Sequence, residues 1–264
     1  EIALTFKIKN TEITDDILIP KYYDPLTEKE LDQMKKTHDL VTIQNLIDQN
    51  LISLSTGDEI GKMAYGTGDI PFIRTSDMSN WELKIDPKQG VSEDIYNEYK
   101  TRQDVKPEDI FLVRDGTYLI GTLCMVTEVY SKILYQSHIL KIRGKDKSKI
   151  SPYLLLAALS SPIVQKQIRT KQFTADIIDT IGNRVLEIVL PIPKDVKEIN
   201  KITHRTKKVV TDRSFLKTKM DTLVNELECI NSIRQKSSAE IALTFKIKNT
   251  EITDDILIPK YYDP

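Results

Sequence analysis

The sequence contains little cysteine and little glycine, and each scarcity excludes a class of protein. Two cysteines in 264 residues, Cys124 and Cys229, are too few for a disulfide framework or a structural zinc site. Nine glycines and a hydrophobic share of 40% exclude collagen-like chains and bulk disorder. No apolar run approaches the roughly 20 residues of a membrane span, and no export signal opens the sequence. The sequence therefore predicts a globular protein of a reducing compartment, which we expect to be the cytoplasm.

Sequence motifs for catalysis are missing as well. The sequence has neither a GxGxxG nor a GxxxxGK[ST] phosphate loop, and it lacks the Pro-Pro pair of an amino-methyltransferase loop. The histidines His38, His138 and His204 lie too far apart for metal-ligand spacing, and the acidic residues near position 60 lack the spacing of a calcium loop. We therefore expect no catalytic residue, no metal site and no cofactor bound by this chain. Cys124 lies in an apolar run and is expected to be a core thiol.

The last 25 residues repeat the first 25 without a change. Residues 1–25 and 240–264 are both EIALTFKIKNTEITDDILIPKYYDP. Apolar and polar residues alternate over residues 2–9, which predicts a half-buried strand there and the same preference in the copy. Because two identical strands cannot occupy one position in a sheet, we expect the copy either to be disordered or to complete the sheet of a partner molecule. A natural tandem and an engineered chain are both open as its origin.

The net charge of −1 conceals an uneven distribution along the chain. Residues 1–131 carry 24 acidic and 14 basic side chains, a net charge of −10, whereas residues 132–264 carry 15 acidic and 24 basic, a net charge of +9. A basic half favours an anionic partner, although an uneven surface without a partner would give the same numbers.

The residue patterns predict an α+β fold with four segments. A lead-in strand and linker occupy residues 1–39, a mixed, largely β domain residues 40–194, a long helix residues 195–239, and the copy residues 240–264. Thr27 is a candidate N-cap of a short helix in the linker. The domain should open with a short helix followed by a strand and close with a helix that Pro162 interrupts. Its other predicted strands lie near residues 70–74, 109–114, 119–129 and 133–142, and apolar residues from Ile181 to Leu190 close the domain.

Residues 196–236 have a heptad pattern that no glycine or proline interrupts. A helix of this length is a rod of roughly 60 Å, which outruns a compact domain. We expect it to form a coiled coil with a second long helix; the alternative is a helix that packs on the flank of its own domain. Thr206 and Arg213 occupy polar seam positions. The residues expected to pair are Ile199, Ile202, Val209, Leu216, Met220, Leu223, Leu227 and Ile230.

Loops of the predicted domain are rich in side chains that can read DNA bases. Arg and Lys suit guanine, Asn and Gln suit adenine, and Asp and Glu suit cytosine, although any surface loop carries polar residues. The candidate base-reading residues are Lys62, Tyr65, Thr67, Arg74, Thr75, Ser76, Asp77, Asn80, Trp81, Arg114, Asp115, Thr117, Tyr118, Gln136, His138, Lys171, Gln172 and Thr174. The candidate phosphate-binding residues are Lys141, Arg143, Lys145, Lys147, Lys149, Lys166, Arg169 and Arg184.

Four segments, in this order and followed by the heptad helix, resemble the specificity subunit of type I restriction-modification systems. They are GTGDIPFIRTSDMSNW at 66–81, KPEDIFLVRDGTYLIGT at 106–122, YQSHILKIR at 135–143 and SPYLLLAALSSPIVQKQIRTKQFTADIIDTIGNRVLEIVLPIP at 151–193. The resemblance covers roughly residues 40–236. It implies one target recognition domain that binds double-stranded DNA, one conserved-region helix, and no catalytic residues. It also implies modification (methyltransferase) subunits as partners, possible association with a restriction subunit, and S-adenosylmethionine, Mg and ATP bound only by those partners.

The sequence departs from that family in having one recognition domain where a full subunit has two. The resemblance then implies either a half-subunit that dimerises through its long helix or a piece of a longer chain. The C-terminal recognition domain of a fused N6-adenine methyltransferase is an alternative, since ITDDILIPKYYDP would suit a linker from a catalytic domain. An enzyme without a recognisable motif and a coiled-coil adaptor for proteins are the other hypotheses.

Overall fold

The computed structural model describes residues 5–14, 17–79, 81–84, 89–116, 118–175 and 178–235, without the side chains of residues 174–175, 178–179 and 228–235. The chain divides into one compact unit of residues 1–215 and a second of residues 216–264. The helices are α1 (Pro25–Met34), α2 (Ile43–Asp48), α3 (Glu93–Gln103), α4 (Pro152–Leu159), α5 (Pro162–Lys171) and α6 (Val196–Gln235). None of the described helices is both long and apolar enough to span a bilayer.

The strands are β1 (His38–Thr42), β2 (Ile52–Thr56), β3 (Phe72–Ile73), β4 (Met78–Ser79), β5 (Glu82–Leu83), β6 (Ile110–Val113), β7 (Leu123–Met125), β8 (Leu134–Tyr135), β9 (Ile139–Gly144), β10 (Phe173–Ala175), β11 (Ile178–Thr180) and β12 (Val189–Pro193). The mixed α+β fold and the long helix predicted from the sequence are confirmed. The predicted order of short helix then strand is also confirmed by α2 and β2.

A four-stranded antiparallel sheet in the order β2-β9-β6-β7 forms the centre of the domain. Because side chains of a strand alternate between two faces, its residues divide between two hydrophobic clusters. Ile110 and Leu112 pack with α2, α4 and α5 on one face, whereas Phe111 and Val113 pack with Cys124 on the other. Cys124 is fully buried, which raises the pKa of its thiol and confirms it as a core residue. Both faces of the sheet are therefore covered.

Pro162 divides the helical segment after the sheet, as the sequence predicts. The Ser151 hydroxyl caps α4 by accepting a hydrogen bond from the Tyr153 amide, and α4 ends before Ser160. Pro162 then occupies the first turn of α5, where its missing N–H costs no hydrogen bond. The interruption gives two short helices that both bury apolar residues against the same cluster.

The beginning and end of the domain meet in a two-stranded ladder. His38 of β1 lies opposite Pro193 of β12, and α6 starts three residues after that strand. In the first unit, the early turns of α6 turn Thr206 and Val210 inward, where they are 5% and 8% exposed. This part of α6 packs on the flank of its own domain, as the alternative to a coiled coil predicted. In the second unit, α6 continues to Gln235.

The lead-in corrects two expectations. Residues 5–9 have no sheet partner among the described residues, so the predicted strand is not found there. The segment instead folds on itself, because the Tyr23 hydroxyl donates to the Ile17 carbonyl at 2.6 Å and accepts from the Thr14 amide at 3.0 Å. The N-cap of α1 is Asp24, not Thr27, since Pro25 starts the helix and Asp24 accepts the Leu26 amide. Residues 1–4 and the copy at 240–264 lie outside the described residues.

Helix α3 was not predicted from the sequence. It has only Ile95, Tyr96 and Tyr99 as apolar residues to pack on the core, so its hydrophobic periodicity is weak. Its N-terminus, however, has common helix-start residues. The Ser92 hydroxyl caps the first turn by accepting a hydrogen bond from the Ile95 amide, and the acidic residues Glu93 and Asp94 follow in that turn.

Candidate nucleic-acid interface

Several loops with candidate base-reading residues meet at one end of the central sheet. Strands β2 and β6 both end there and β9 begins there, since Thr56 pairs with Leu140 and Val113 with Ile139. The Arg114 amide donates to the His138 carbonyl at 3.0 Å, and the Ile181 amide donates to the Arg114 carbonyl at 3.0 Å. We call this set the loop cluster; its residues are 57–59, 114–116, 118, 136–138 and 180–184.

A glycine permits the closest approach within the loop cluster. A Cβ atom on Gly57 would lie 2.1 Å from the Tyr135 carbonyl oxygen and 2.5 Å from that of Gln136. Any larger residue would push the backbone segments apart. The backbone of Asp58 also donates to the Tyr135 carbonyl at 3.1 Å. Residues 57–59 and 135–138 are therefore held in contact by their main chains.

Asp115 is the polar centre of the loop cluster. Its Oδ2 lies 3.2 Å from His138 Nδ1 and 3.1 Å from Arg114 Nε, while Oδ1 accepts a hydrogen bond from the Thr180 hydroxyl. The side chain is 11% exposed, so these contacts replace most of its water. Asp115 thus joins three loops, and we assign it a positioning role rather than the direct base contact expected from the sequence.

Arg114 keeps part of its hydrogen-bonding capacity unused. Its buried Nε faces Asp115 but is not aligned for a hydrogen bond, and its two terminal nitrogens bond to no described residue. The side chain is 31% exposed and lines an open cavity of about 300 Å³ together with Thr56 and Asn183. A guanidinium held at one edge by a carboxylate, with its other edge unengaged, can donate two parallel bonds to a guanine edge or a phosphate.

The solvent side of the loop cluster carries donors, acceptors and an aromatic ring. His138 Nε2 lies 3.9 Å from Glu59, whose carboxylate also accepts from the Ser137 hydroxyl. The Tyr118 side chain is 81% exposed. Gln136 is half-buried, and Thr117 lies outside the described residues. The surface therefore offers the mixture of polar groups that recognition of base edges requires.

Gln103, which the sequence did not indicate, anchors two loops of the cluster to the end of α3. Its Nε2 donates to Asp58 Oδ2 at 2.9 Å and to the Tyr135 carbonyl at 3.0 Å, and its Oε1 accepts the Tyr135 amide at 2.8 Å. The residue is 1% exposed. Because two of these bonds are buried and the third is partly buried, Gln103 fixes the positions of residues 58 and 135. Gln103 is the last residue of a polar helix, and nothing in the sequence pattern indicates that its side chain is buried.

Lys141 and Arg143 donate their side-chain hydrogen bonds to groups of the protein itself, unlike free phosphate-binding residues. Lys141 is 5% exposed and donates to the carbonyls of Gln103 and Asp104, at the C-terminus of α3. Burial lowers the pKa of its ammonium group. Arg143 donates to Asp109 Oδ1 at 2.6 Å and to Asp104 Oδ2 at 2.5 Å. Both cations satisfy the last carbonyls and the cap of α3, so we correct their expected role to a structural one.

Four further candidates make their contacts inside the protein. Arg74 forms a two-pronged ion pair with Asp77, at 3.0 Å and 2.9 Å, and Asp77 is 5% exposed. The indole of Trp81 donates to the Ser160 hydroxyl at 2.8 Å and packs against the main core. Gln172 is 8% exposed and accepts from Arg169 at 3.3 Å. Since these groups serve packing, we no longer place Asp77, Trp81 or Gln172 among the base-reading residues.

Other candidates in residues 62–76 lie outside the loop cluster. Lys62 and Ser76 are exposed, and Thr75 is half-buried. The Thr67 hydroxyl donates to the Ala64 carbonyl and accepts the Ser92 amide, which fixes a turn. Tyr65 packs on Phe72 with ring centroids 5.5 Å apart, and burial raises the pKa of its hydroxyl. Asn80 lies outside the described residues, and so does the side chain of Thr174.

Lys145, Lys147 and Lys149 lie at the opposite end of the sheet from the loop cluster. Ile52 of β2 pairs with Gly144 of β9 there, and the six residues of β9 separate the two ends by about 20 Å. Lys145 donates to Asn50 at 2.8 Å, and Lys147 pairs with Glu108 at 2.5 Å. These exposed lysines can still meet an anion, but not at the surface that holds Arg114.

The remaining basic candidates surround α5 and contact the lead-in. Lys166 lies 2.8 Å from Glu30, whose hydrogen bond raises the lysine pKa. Lys171 pairs with Glu187 at 2.6 Å, and Arg184 stacks 3.6 Å from the Phe173 ring centre. Burial lowers the pKa of Arg184. Arg169 is exposed, whereas the other three cations hold the lead-in and the β10–β11 hairpin in place.

Comparison with known proteins gives structural neighbours only. No protein-family model and no curated protein matches the sequence. The solved structures that it resembles include the type I restriction-modification S subunit from M. genitalium, at 14% identity and a TM-score of 0.45 over 75% of this chain and 44% of that chain. The HsdS subunit from Thermoanaerobacter tengcongensis gives 11% identity and a TM-score of 0.41, over 76% and 49% of the two chains.

A third neighbour comes from a study of complex assembly and conformational transition in the type I restriction-modification system. It shares 13% identity with a TM-score of 0.43, over 79% of this chain and 51% of that chain. The chain therefore spans about half the length of each of these structures. Two of these neighbours are S (HsdS) subunits and the third belongs to a type I restriction-modification system, the class that the four sequence segments resemble. Among the described residues, no group of three metal-binding side chains is present.

Proposed function

We propose that residues 40–194 form a target recognition domain that reads a double-stranded DNA sequence through the loop cluster. The observation that carries this proposal is Arg114, whose guanidinium is anchored by Asp115 and still has two nitrogens unengaged by any described residue. Such a group discriminates guanine by donating to its O6 and N7 atoms, worth about 1–3 kcal/mol. His138, Glu59 and Tyr118 border the same surface and supply further contacts.

The rigidity of the loop cluster supports a role in recognition. Binding groups discriminate best when their own positions are fixed before the ligand arrives, because less conformational entropy is then lost. Asp115 connects three loops, and Gln103 and Gly57 hold two of them against the sheet. The polar groups are thus held on a scaffold rather than on long free loops.

The chain would act as the non-catalytic specificity half-subunit of a restriction-modification complex. Modification subunits would supply S-adenosylmethionine and the methyl transfer, and Mg and ATP would belong to partners as well. In the second unit, Leu216, Met220, Leu223 and Leu227 are 58–64% exposed at spacings of 4, 3 and 4 residues. This apolar stripe supports pairing with another long helix, as a homodimer or a pseudo-dimer. In the first unit, Ile199 and Ile202 are half-buried, whereas Val209 is 39% exposed. The side chain of Ile230 lies outside the described residues.

Selection of duplexes from a random pool by the full chain tests the proposal. We expect one sequence to be enriched, and its affinity to fall steeply as salt rises, because each neutralised phosphate releases counterions. Enrichment of no sequence, or binding that does not depend on salt, would show that the domain does not read DNA. Methylation by this chain alone, assayed with labelled S-adenosylmethionine, would contradict the non-catalytic role and favour a fused methyltransferase.

The same apolar stripe favours a second candidate, a coiled-coil adaptor that binds proteins. An adaptor would retain its partners in a pull-down after nuclease treatment, and its binding would not change with Arg114→Ala. A recognition domain would bind its DNA sequence about tenfold or more weakly with that substitution, while its helix still paired.

A further inference from the structure

The first copy of the duplicated segment docks on the domain through residues that the second copy also contains. In the first copy, Pro20–Tyr23 form a single 3-10 turn, and the Tyr23 hydroxyl ties that turn to Thr14 and Ile17. The segment is thus a compact strap that is pre-folded by its own hydrogen bonds. We use the name strap for residues 14–25 of the first copy and for the identical residues 253–264 of the second.

The strap contacts a groove made by α5, the β10–β11 hairpin and Glu187. The Tyr22 hydroxyl donates to Glu187 at 2.5 Å, and its ring lies 4.4 Å from Lys171 Nζ. The same ring meets Phe173 edge to face, with centroids 6.5 Å apart. The groove therefore recognises a tyrosine by a charged acceptor, a cation over its ring and an aromatic edge.

A second contact involves the carboxylate of Asp24, the residue before the end of the strap. Asp24 lies 3.7 Å from Lys166 Nζ, on the exposed side of α5, and it also caps α1. The strap residues that matter for docking are Pro20 and Tyr23, which shape the turn, and Tyr22 and Asp24, which contact the groove. The second copy has all of them, as Pro259, Tyr261, Tyr262 and Asp263.

The groove residues occur once in the chain, whereas the strap occurs twice. Residues 1–264 therefore hold one groove for two identical straps. We propose that the second strap of one molecule docks in the groove of a second copy of this chain, in exchange for that copy's own first strap. Such an exchange replaces contacts with identical contacts, so its intrinsic free-energy change is small. It does not depend on DNA binding.

The exchange is opposed mainly by effective concentration. The first strap is tethered next to its groove, so it competes as if present at about millimolar concentration. Weakening the first strap should therefore promote association through the second. The chain offers matched substitutions for this test, since the same residues can be changed in either copy.

The experiment measures mass against protein concentration by sedimentation for four full-length chains: the wild type, Tyr22→Ala/Asp24→Ala, Tyr261→Ala/Asp263→Ala, and all four substitutions together. The variant with a weakened first strap should associate at a concentration at least tenfold lower than the wild type. The variant with a weakened second strap should not, and the combined variant should lose the added association. Identical masses for all four chains would overturn the proposal. So would a thermal midpoint of the Tyr22→Ala/Asp24→Ala variant that does not depend on protein concentration.

A peptide makes the test independent of how well the variants associate. A synthetic peptide with the sequence of residues 240–264 should raise the thermal midpoint of the combined variant, because it fills the emptied groove. The same peptide carrying the Tyr261→Ala and Asp263→Ala changes is the control and should have no effect. Equal effects of the two peptides would show that the groove does not recognise the strap.

Discussion

The two ends of the central sheet carry similar charged side chains but use them differently. At the loop cluster, Arg114 touches one carboxylate and keeps two nitrogens unengaged by described residues. At the opposite end, Arg143 donates to two carboxylates and to the Asp104 carbonyl. The two side chains are similarly exposed, 23% for Arg143 and 31% for Arg114, so the acceptors within reach of each guanidinium explain the difference. Arg143 faces the nearly inaccessible Asp109, whereas Arg114 borders an open cavity.

The comparison separates cations that hold the fold from cations that can bind a ligand. Arg114 and Arg143 are the same residue type in or next to strands of the same sheet, so their positions along the sheet distinguish their roles. Substitutions at the end with Arg143 should change the free energy of unfolding, and substitutions at the loop cluster should change DNA binding.

Arg143→Ala should produce the largest loss of stability. It leaves Asp109, whose side chain is 1% exposed, without its charged partner. Removing one member of a buried ion pair costs about 3–5 kcal/mol. Urea unfolding followed by circular dichroism measures the change. Lys147→Ala is the control, since that lysine is 60% exposed and its pair should contribute at most about 1 kcal/mol. Equal effects of the two substitutions would remove the distinction between buried and exposed cations.

Gln103→Leu should have the next largest effect. The leucine keeps the volume but leaves the Tyr135 amide and carbonyl without their side-chain partner, at a cost of about 1–3 kcal/mol. Hydrogen exchange should also quicken at residues 57–59 and 135–138 while the core strands stay protected. The matched control is Gln44→Leu, on an exposed turn of α2. Unchanged exchange in those loops would mean that Gln103 does not position them.

His138→Ala should affect binding more than folding. It removes one of the groups around Asp115, a partly exposed contact that contributes about 1 kcal/mol or less. The loops that meet at Asp115 should loosen, so affinity for the selected duplex should fall several-fold. His204→Ala, on an exposed position of α6, is the control. A lower free energy of unfolding with an unchanged affinity for the duplex would place His138 with the structural residues.

Much of the fold follows from sequence patterns. Pro162 and the flanking apolar residues predicted α4 and α5, and uninterrupted heptads predicted α6, because each pattern matches the period of its own element. The strand predicted at residues 2–9 is not found at the described residues 5–9, since alternation shows which face a strand would bury but not whether an edge is available to pair with it. Helix α3 was missed because its apolar residues are few.

The candidate site was predictable only in part. Arg114, Asp115 and His138 lie near turn signals next to apolar strands, and these signals predict that the three residues lie in loops. Lys141 and Arg143 alternate with apolar residues within β9, yet their side chains donate to groups at the end of α3. Nothing in the sequence shows that α3 ends beside β9, because the pairing depends on tertiary contacts between distant segments. Gln103 was missed for the same reason.

The smallest predicted effect is on acid stability. The hydrogen bond from Arg143 lowers the pKa of Asp104 below its ordinary value of 3.8. A carboxyl with a lowered pKa in the folded state adds stability above pH 3.8, and this contribution is lost as the pH falls through the lowered pKa. The difference in unfolding free energy between the wild type and Asp104→Asn should therefore shrink when the pH is reduced from 6 to 3. A difference that stays constant over this range would contradict the assigned ion pair.

Duplex selection repeated with two variants tests most directly whether the loop cluster reads DNA. Arg114→Ala removes the unengaged guanidinium, and Lys147→Ala removes a cation at the opposite end of the sheet. We predict that Arg114→Ala relaxes the preference at one base pair of the selected sequence and lowers affinity about tenfold or more. Lys147→Ala should enrich the same sequence as the wild type. If Arg114→Ala enriched an unchanged sequence, or Lys147→Ala altered it, the loop cluster would not be the surface that reads DNA.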